Sequence, residues 1–484
     1  MAGTPQPTPR TDRTELLLFG GAVLFLAFAL ARQIAVDAPL GHDEAIYAGG
    51  GRELLGGPPA SGYGLHRSIG MRALAAAGLL VASSEWTLRC LVLACSLGFL
   101  FAFRALGRRA LGDRPATLAA AAMVTSFGFQ RRGAEILSDV PALLLLVLLL
   151  TVLVRELGRR GEGGRPGPWL LAAAPLAAAA FYLRYGLSTS LVGIGLAAAT
   201  VWWRPLATGR RVALATIALF AVLLAPHLVH SIQETGSPLG ILQASGDAAH
   251  RDYLGQGLVQ FPLVFALEGG PVLVALFVVG AVHGARRLFR LRAQRRHSRP
   301  STEDRMVAFL WVASVFQIVI TGLLAHAEFR YFFTGVAGLA LVGASAASRW
   351  AARRRAGTVV AAALLLAAAV THQVNIQRYT RLSDVRQVLV AAAAEVRRAA
   401  GSETCAALTT RVPHIGWYSG CAAAHLRTRV EDLPGQRRFL VLFAREPGGA
   451  RARARLARSH RLTQVGQAAD PTGHFGDAAI YEIR

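Results

Sequence analysis

Long apolar runs broken by arginine-rich joints fill the first 372 residues, and this alternation sets the architecture before any motif is weighed. A helix needs about 20 mostly apolar residues to cross the hydrocarbon of a bilayer. About eleven runs meet or approach that length. They predict helices at 15–36, 87–104, 115–130, 139–155, 168–183, 186–203, 211–229, 269–285, 306–324, 331–348 and 357–372. The Ala- and Leu-rich stretch 72–81 predicts a helix lying in the interface. Beyond 372 the pattern changes. Residues 384–398 keep a helical spacing, 405–410 and 439–443 read as buried strands, 448–461 as a helix, and 478–483 as a last strand. The expected fold is a polytopic α-helical membrane protein with a small C-terminal α/β domain. Its expected divisions are a short N-terminus (1–14), a membrane domain (15–372) whose first outer loop is 37–86, and a soluble domain (373–484) large enough for a small core.

Composition agrees with a membrane protein: 53% of residues are hydrophobic and the mean hydropathy is +0.41. Charge adds the orientation. The chain has no lysine, so all 52 basic residues are arginine, against 28 acidic ones, for a net charge of +24. The arginines collect at every second joint: Arg10 and Arg13, Arg104 to Arg114, Arg155 to Arg165, Arg204 to Arg211, Arg286 to Arg299, and Arg349 to Arg355. By the positive-inside rule these joints and the N-terminus are cytoplasmic, and the C-terminal domain lies outside the cytoplasmic membrane of a bacterium. The arginines flank apolar spans and form no single face interleaved with aromatics, which argues against nucleic acid. The apolar 16–30 with Ala29-Leu30-Ala31 has the look of a signal peptide, but a retained anchor is the preferred expectation, because it keeps the following acidic segment tethered.

The sparse, non-cytoplasmic joints hold the unusual polar residues. His42-Asp43-Glu44-Ala45-Ile46-Tyr47 follows the first span, and the same loop carries His66 and Arg67. The second outer turn contains Arg131, Arg132, Glu135 and Asp139-Val140-Pro141. The segment 230–268 holds Gly236-Ser237-Pro238, Asp247, His250 and Arg251, and the last outer turn reads His326-Ala327-Glu328-Phe329-Arg330-Tyr331. Carboxylates near a bilayer must be solvated, paired or metal-bound, so this one-sided gathering points to a site. Asp139 also begins a span, where a carboxylate suits the helix N-terminus, and the capping and site roles weigh equally.

The chain resembles a membrane glycosyltransferase of the GT-C class, in the broad group of protein O-mannosyltransferases and lipid A aminoarabinose transferases. The resemblance rests on Asp43-Glu44 with Tyr47 after the first helix, the Arg/Glu turn leading to Asp139-Val140-Pro141, and Phe329-Arg330-Tyr331, over residues 15–372. Gly236-Ser237-Pro238-Leu239 resembles the Gly-Asn-Pro turn of such enzymes, whereas Tyr63-Gly64-Leu65-His66-Arg67 departs from their Lys-Pro-Pro-like element. The resemblance implies a polyprenyl-phosphate sugar donor, an acceptor that is protein, lipid or cell-envelope glycan, and inverting transfer at the outer face. Asp43 is then the general base, Glu44 its orienting or acceptor-binding neighbour, and Asp139 a further acid. Arg330, Tyr331 and Arg131 are candidates for the donor phosphate. Tyr47, His66, Glu135 and His250 are candidates for acceptor or metal contacts. Some relatives use a divalent metal ion and some do not, and no histidine spacing here decides between them. A transporter or a non-catalytic scaffold is the alternative, although no internal repeat supports the first. Cys405 and Cys421 both fall outside, where they are expected to form a disulfide, while Cys90 and Cys95 read as buried thiols.

Overall fold

The computed structural model describes residues 13–59, 62–158, 166–248, 251–294, 301–351 and 357–484. In chain order the membrane part runs α1 Arg13–Ala35, α2 His42–Leu54, α3 Ile69–Val81, α4 Glu85–Leu111, α5 Asp113–Val124, α6 Phe127–Arg132 and α7 Asp139–Leu153. It continues α8 Ala173–Leu183, α9 Ser188–Val201, α10 Trp203–Thr208, α11 Arg210–Thr235, α12 Gly240–Asp247, α13 Gln256–Gly269, α14 Pro271–Gln294, α15 Thr302–Leu324 and α16 Phe333–Ala351. The helix α17, Gly357–Ala400, then leads into β1 Cys405–Thr409, α18 Val412–Ser419, β2 Ala422–His425, β3 Arg437–Phe443, α19 Gly449–Leu456, β4 Leu462–Ala468 and β5 Ala478–Ile483.

Eight helices among the described residues are long and apolar enough to cross a membrane. The remaining expected spans hold shorter helices. The stretch 115–130 is divided into α5 and α6 at Thr125-Ser126, where the Ser126 hydroxyl accepts from the Phe129 amide and caps the new helix. Residues 168–183 and 186–203 form the shorter Pro168–Leu183 and Tyr185–Val201. The segment 230–268, expected as an outer connection, contains the end of α11 and the helices α12 and α13. Pro262 inside α13 hid the helical pattern there. The boundary expected at 372–373 falls inside α17, which runs from the membrane part to the sheet without a break.

Packing follows the sizes of the facing residues. Gly280 of α14 and Gly343 of α16 face each other's helix so closely that an added methyl at either would collide with a backbone carbonyl, of Leu339 or Leu276. Small residues of this kind let helices associate in lipid, where apolar burial offers little. Beyond the membrane part, the five-stranded sheet has the order β2-β1-β3-β5-β4, with β1 parallel to β2 and β3, and β5 antiparallel to β3 and β4. Val388, Leu389, Ala392 and Val396 of α17 cover one face, and Ala452 and Leu456 of α19 the other. The three expected strands lie at β1, β3 and β5. The helix α18 and the strands β2 and β4 were not foreseen, since 412–425 is short and Ala-rich and β4 is mostly polar. Cys405 and Cys421 are disulfide-bonded.

Candidate active site

The site forms at the end of the bundle away from Glu15 and Arg114, which pair at 3.7 Å beside the start of α1. The chain leaves α1 through a short segment, 36–41, and turns into α2, whose first turn carries His42, Asp43 and Glu44. Adjacent residues of a helix point about 100° apart, so the two acids part company. Asp43 faces a cavity of about 580 Å³. Its carboxylate meets Arg67 at 2.9 Å and Arg330 at 3.5 Å, and a third of the side chain remains exposed (33%). Burial raises its pKa, but Arg67 and Arg330 outweigh that and hold Asp43 below the ordinary carboxylate range.

Glu44 turns inward instead. One oxygen accepts from the Gly41 amide at 2.7 Å, the N3-to-N-cap half of a capping box at the start of α2, and the other accepts from the Ile136 amide at 3.0 Å. Arg89 lies 3.9 Å from the same carboxylate. Both oxygens being occupied, Glu44 can orient α2 but has no surface to offer an acceptor.

Arg330 sits at the start of the tenth expected span, in the tight turn Phe329–Phe332 that precedes α16. Its guanidinium is shared among three acids: Asp43, Glu328 and, at 3.8 Å, Asp139. Asp139 is almost fully buried (1% exposed) and pairs with Arg184 at 2.5 Å. No amide of α7 donates to this carboxylate, so the capping role weighed for Asp139 gives way to charge pairing. Tyr331 lies beneath two guanidinium groups, 5.1 Å from Arg184 and 5.4 Å from Arg330. Tyr47 and His66 line the same cavity, and Arg67 lies 5.6 Å over the Tyr47 ring.

Arg184 is the residue that sequence inspection missed. It ends α8 in extended backbone, φ −157°, next to Tyr185. The signal was available: on the expected topology Arg184 falls at an arginine-poor outer joint, an exception to the charge rule of the same kind as Arg131 and Arg132. The cavity wall is completed by hydroxyls, among them Ser68, Ser138, Ser188, Thr189, Ser245 and Thr321. Such a lining suits a ligand rich in hydrogen-bonding groups.

Glu44, Asp139, Arg131 and Glu135 are not among the residues that line the cavity. Arg131 pairs with Glu135 at 3.2 Å and Glu268 at 3.7 Å. Glu135 is clamped between Arg131 and Arg132, and these two guanidinium groups overcome burial to depress its pKa. His250 lies outside the described residues. Among the described residues no three His, Cys, Asp or Glu side chains gather as a metal site. The cavity carboxylates Asp43 and Glu328 face guanidinium groups, a setting that does not fit a magnesium or calcium ion, which takes six or more oxygen ligands.

No protein-family model and no curated protein matches the chain. Solved structures do. The structure of ArnT from Cupriavidus metallidurans bound to undecaprenyl phosphate superposes with a TM-score of 0.68 at 13% identity, over 96% of this chain and 98% of that one. Its apo state gives 0.66 at 14% identity, over the same shares. The archaeal oligosaccharyltransferase AglB from Archaeoglobus fulgidus, in complex with an inhibitory peptide and a dolichol-phosphate, gives 0.50 at 11% identity, over 90% of this chain and 70% of that one. The chain therefore has the GT-C fold, as its motifs implied.

Proposed function

We propose that the protein transfers a sugar from a polyprenyl-phosphate donor to a protein, lipid or cell-envelope glycan acceptor, at the outer face of the cytoplasmic membrane and with inversion. One observation carries this reading. Arg330 follows Asp43 by 287 residues and Asp139 by 191, yet it lies 3.5 Å from the first and 3.8 Å from the second, and Asp43 and Arg330 line a single cavity with the buried Asp139 behind them. The similar ArnT and AglB structures hold undecaprenyl phosphate and dolichol-phosphate, two lipids that share a phosphate on a polyprenyl chain.

The chemistry follows from the charges. A guanidinium divided among three carboxylates can exchange a partner for a phosphate oxygen at small cost, and Arg330 is placed to receive the donor phosphate with Tyr331 beside it. Arg184 lies 5.1 Å from the Tyr331 ring and holds Asp139 in place. Asp43, ionised and open to the cavity, accepts the proton of the acceptor as its oxygen or nitrogen attacks the anomeric carbon. The bond from that carbon to the phosphate oxygen breaks, and its electron pair leaves with the phosphate, whose charge the arginines stabilise. Attack opposite the leaving group inverts the centre. The alternating arginines support the orientation, with the N-terminus cytoplasmic and the sheet unit outside over the acceptor side.

The test is label transfer from a panel of radiolabelled polyprenyl-phosphate sugars by the full chain in liposomes, with membrane extract as the acceptor source. Transfer by the wild type that is lost in Asp43→Asn supports the reading. No release from any donor, or release that persists in Asp43→Asn, overturns it.

A further inference from the structure

The segment that delivers Asp43 to the cavity has no secondary structure of its own, and four successive residues in it are held by side chains from four different helices. The Ala38 carbonyl accepts from Arg89 of α4 at 2.6 Å. The Pro39 carbonyl accepts from Arg386 of α17 at 2.8 Å. The Leu40 amide donates to the Tyr418 hydroxyl of α18 at 2.7 Å, and the Gly41 amide donates to Glu44 of α2 itself at 2.7 Å. The segment enters this grip from Asp37, whose φ of +51° is the one left-handed non-glycine conformation among the described residues. Leu40 is completely buried there.

Two of the four holding groups, Arg386 and Tyr418, belong to the C-terminal unit. The same unit also grips the far end of α2. Arg52 donates to the Trp417 carbonyl at 2.8 Å and lies 3.7 Å over the Trp417 ring, while the Trp417 indole donates to Glu85 of α4 at 2.8 Å. Trp417 and Tyr418 are neighbours on α18, and the Cys405–Cys421 disulfide closes the loop that contains this helix.

We propose that the C-terminal unit is a positioning part of the catalytic apparatus: Arg386 and Tyr418 fix the 38–41 segment, and Trp417 fixes the other end of α2, so that Asp43 stands at its working place in the cavity. This inference rests on the reading of Asp43 as the base. It assigns to the sheet unit a role in rate that simple acceptor recruitment would not give it. A carboxylate that must lie within hydrogen-bond reach of an attacking group tolerates little displacement, and misplacement of about 1 Å can cost about a hundredfold in rate.

The experiment uses the full chain in lipid nanodiscs as wild type, Tyr418→Phe, Arg386→Gln and Arg451→Ala, the last on the outer face of α19 as a control. Hydrogen–deuterium exchange is followed in peptides covering 37–47 and 303–324, and transfer kinetics are measured with whichever labelled polyprenyl-phosphate sugar the wild type uses. In Tyr418→Phe and Arg386→Gln, exchange at 37–47 rises while 303–324 stays as in wild type. The turnover number falls by about ten- to a hundredfold with the donor KM unchanged. The control alters neither. Unchanged exchange at 37–47 in both variants overturns the clasp, and does so even if the wild type transfers no sugar, an outcome that counts separately against the proposed function. Raised exchange with undiminished turnover overturns the positioning role.

Discussion

Two clusters of arginine and carboxylate meet at Glu328, and they differ in what they leave available. In the first, Arg330, Arg184 and Arg67 pair with Asp43, Asp139 and Glu328, and all of these but the buried Asp139 line a large cavity. In the second, Arg131 and Arg132 close around Glu135, with Glu268 on one flank and Glu328 on the other. Both gather guanidinium and carboxylate groups, and both drew attention in the sequence. The first has contacts of 3.5 and 3.8 Å around one shared guanidinium, and an acid with open surface. In the second, Glu135 is clamped by both guanidinium groups, and none of Arg131, Arg132 and Glu135 lines the cavity. Arginine density at a membrane surface therefore does not separate the two clusters; the open volume beside the first does.

That contrast can be broken by exchanging single members of each cluster. The largest effect is expected for Asp43→Asn, which keeps shape and removes the proposed base: the rate of transfer falls by about 10²- to 10⁴-fold, with the thermal midpoint of the purified protein near that of wild type. Arg330→Ala is expected to lower the transfer rate by about 10²- to 10³-fold and to weaken the binding of undecaprenyl phosphate, measured by native mass spectrometry. Retained lipid binding in this variant would remove Arg330 from the phosphate site. In the closed cluster the cost moves from rate to stability. Glu135→Gln leaves two buried guanidinium groups without their acid, and is expected to cost about 3 kcal/mol in denaturation while the surviving folded protein turns over normally.

The smallest effect sharpens the comparison by pH. Arg67 and Arg330 depress the pKa of Asp43 against the opposing effect of burial, so Asp43 stays ionised below the usual carboxylate range and is lost as a base only when pH falls through its lowered pKa. Arg67→Gln removes one of the two cations. The acid limb of kcat/KM is expected to move to higher pH, with little change in the plateau. A limb that stays in place would show that another group sets it.

The membrane part was legible because lipid imposes a coarse and repeated demand. Each run of apolar residues became helix, and the candidate residues Asp43, Tyr47, His66, Arg330 and Tyr331 came to one cavity. What could not be read was pairing. Glu44 is adjacent to Asp43 and of the same chemistry, and only the 100° turn of α2 and the Ile136 amide decide that one faces the cavity and the other the interior. Arg131 and Arg330 were alike as outer-side arginines, and the three-dimensional neighbours Glu135 and Glu268 separate them. Arg184 was hidden among the aromatic residues that end α8. The continuity of α17 was masked by a change in composition at 372, where the helix passes from apolar surroundings to a covering role over the sheet.

The most direct measurement is an electron cryomicroscopy structure of the full chain in nanodiscs with undecaprenyl phosphate. The account predicts the phosphate against Arg330 on the Tyr331 and Arg184 side of the cavity, with the contact between Arg330 and Asp43 opened and the Arg131–Glu135–Arg132 cluster unchanged. Phosphate bound at Arg131 and Arg132 instead, with Arg330 still shared among Asp43, Asp139 and Glu328, would contradict it.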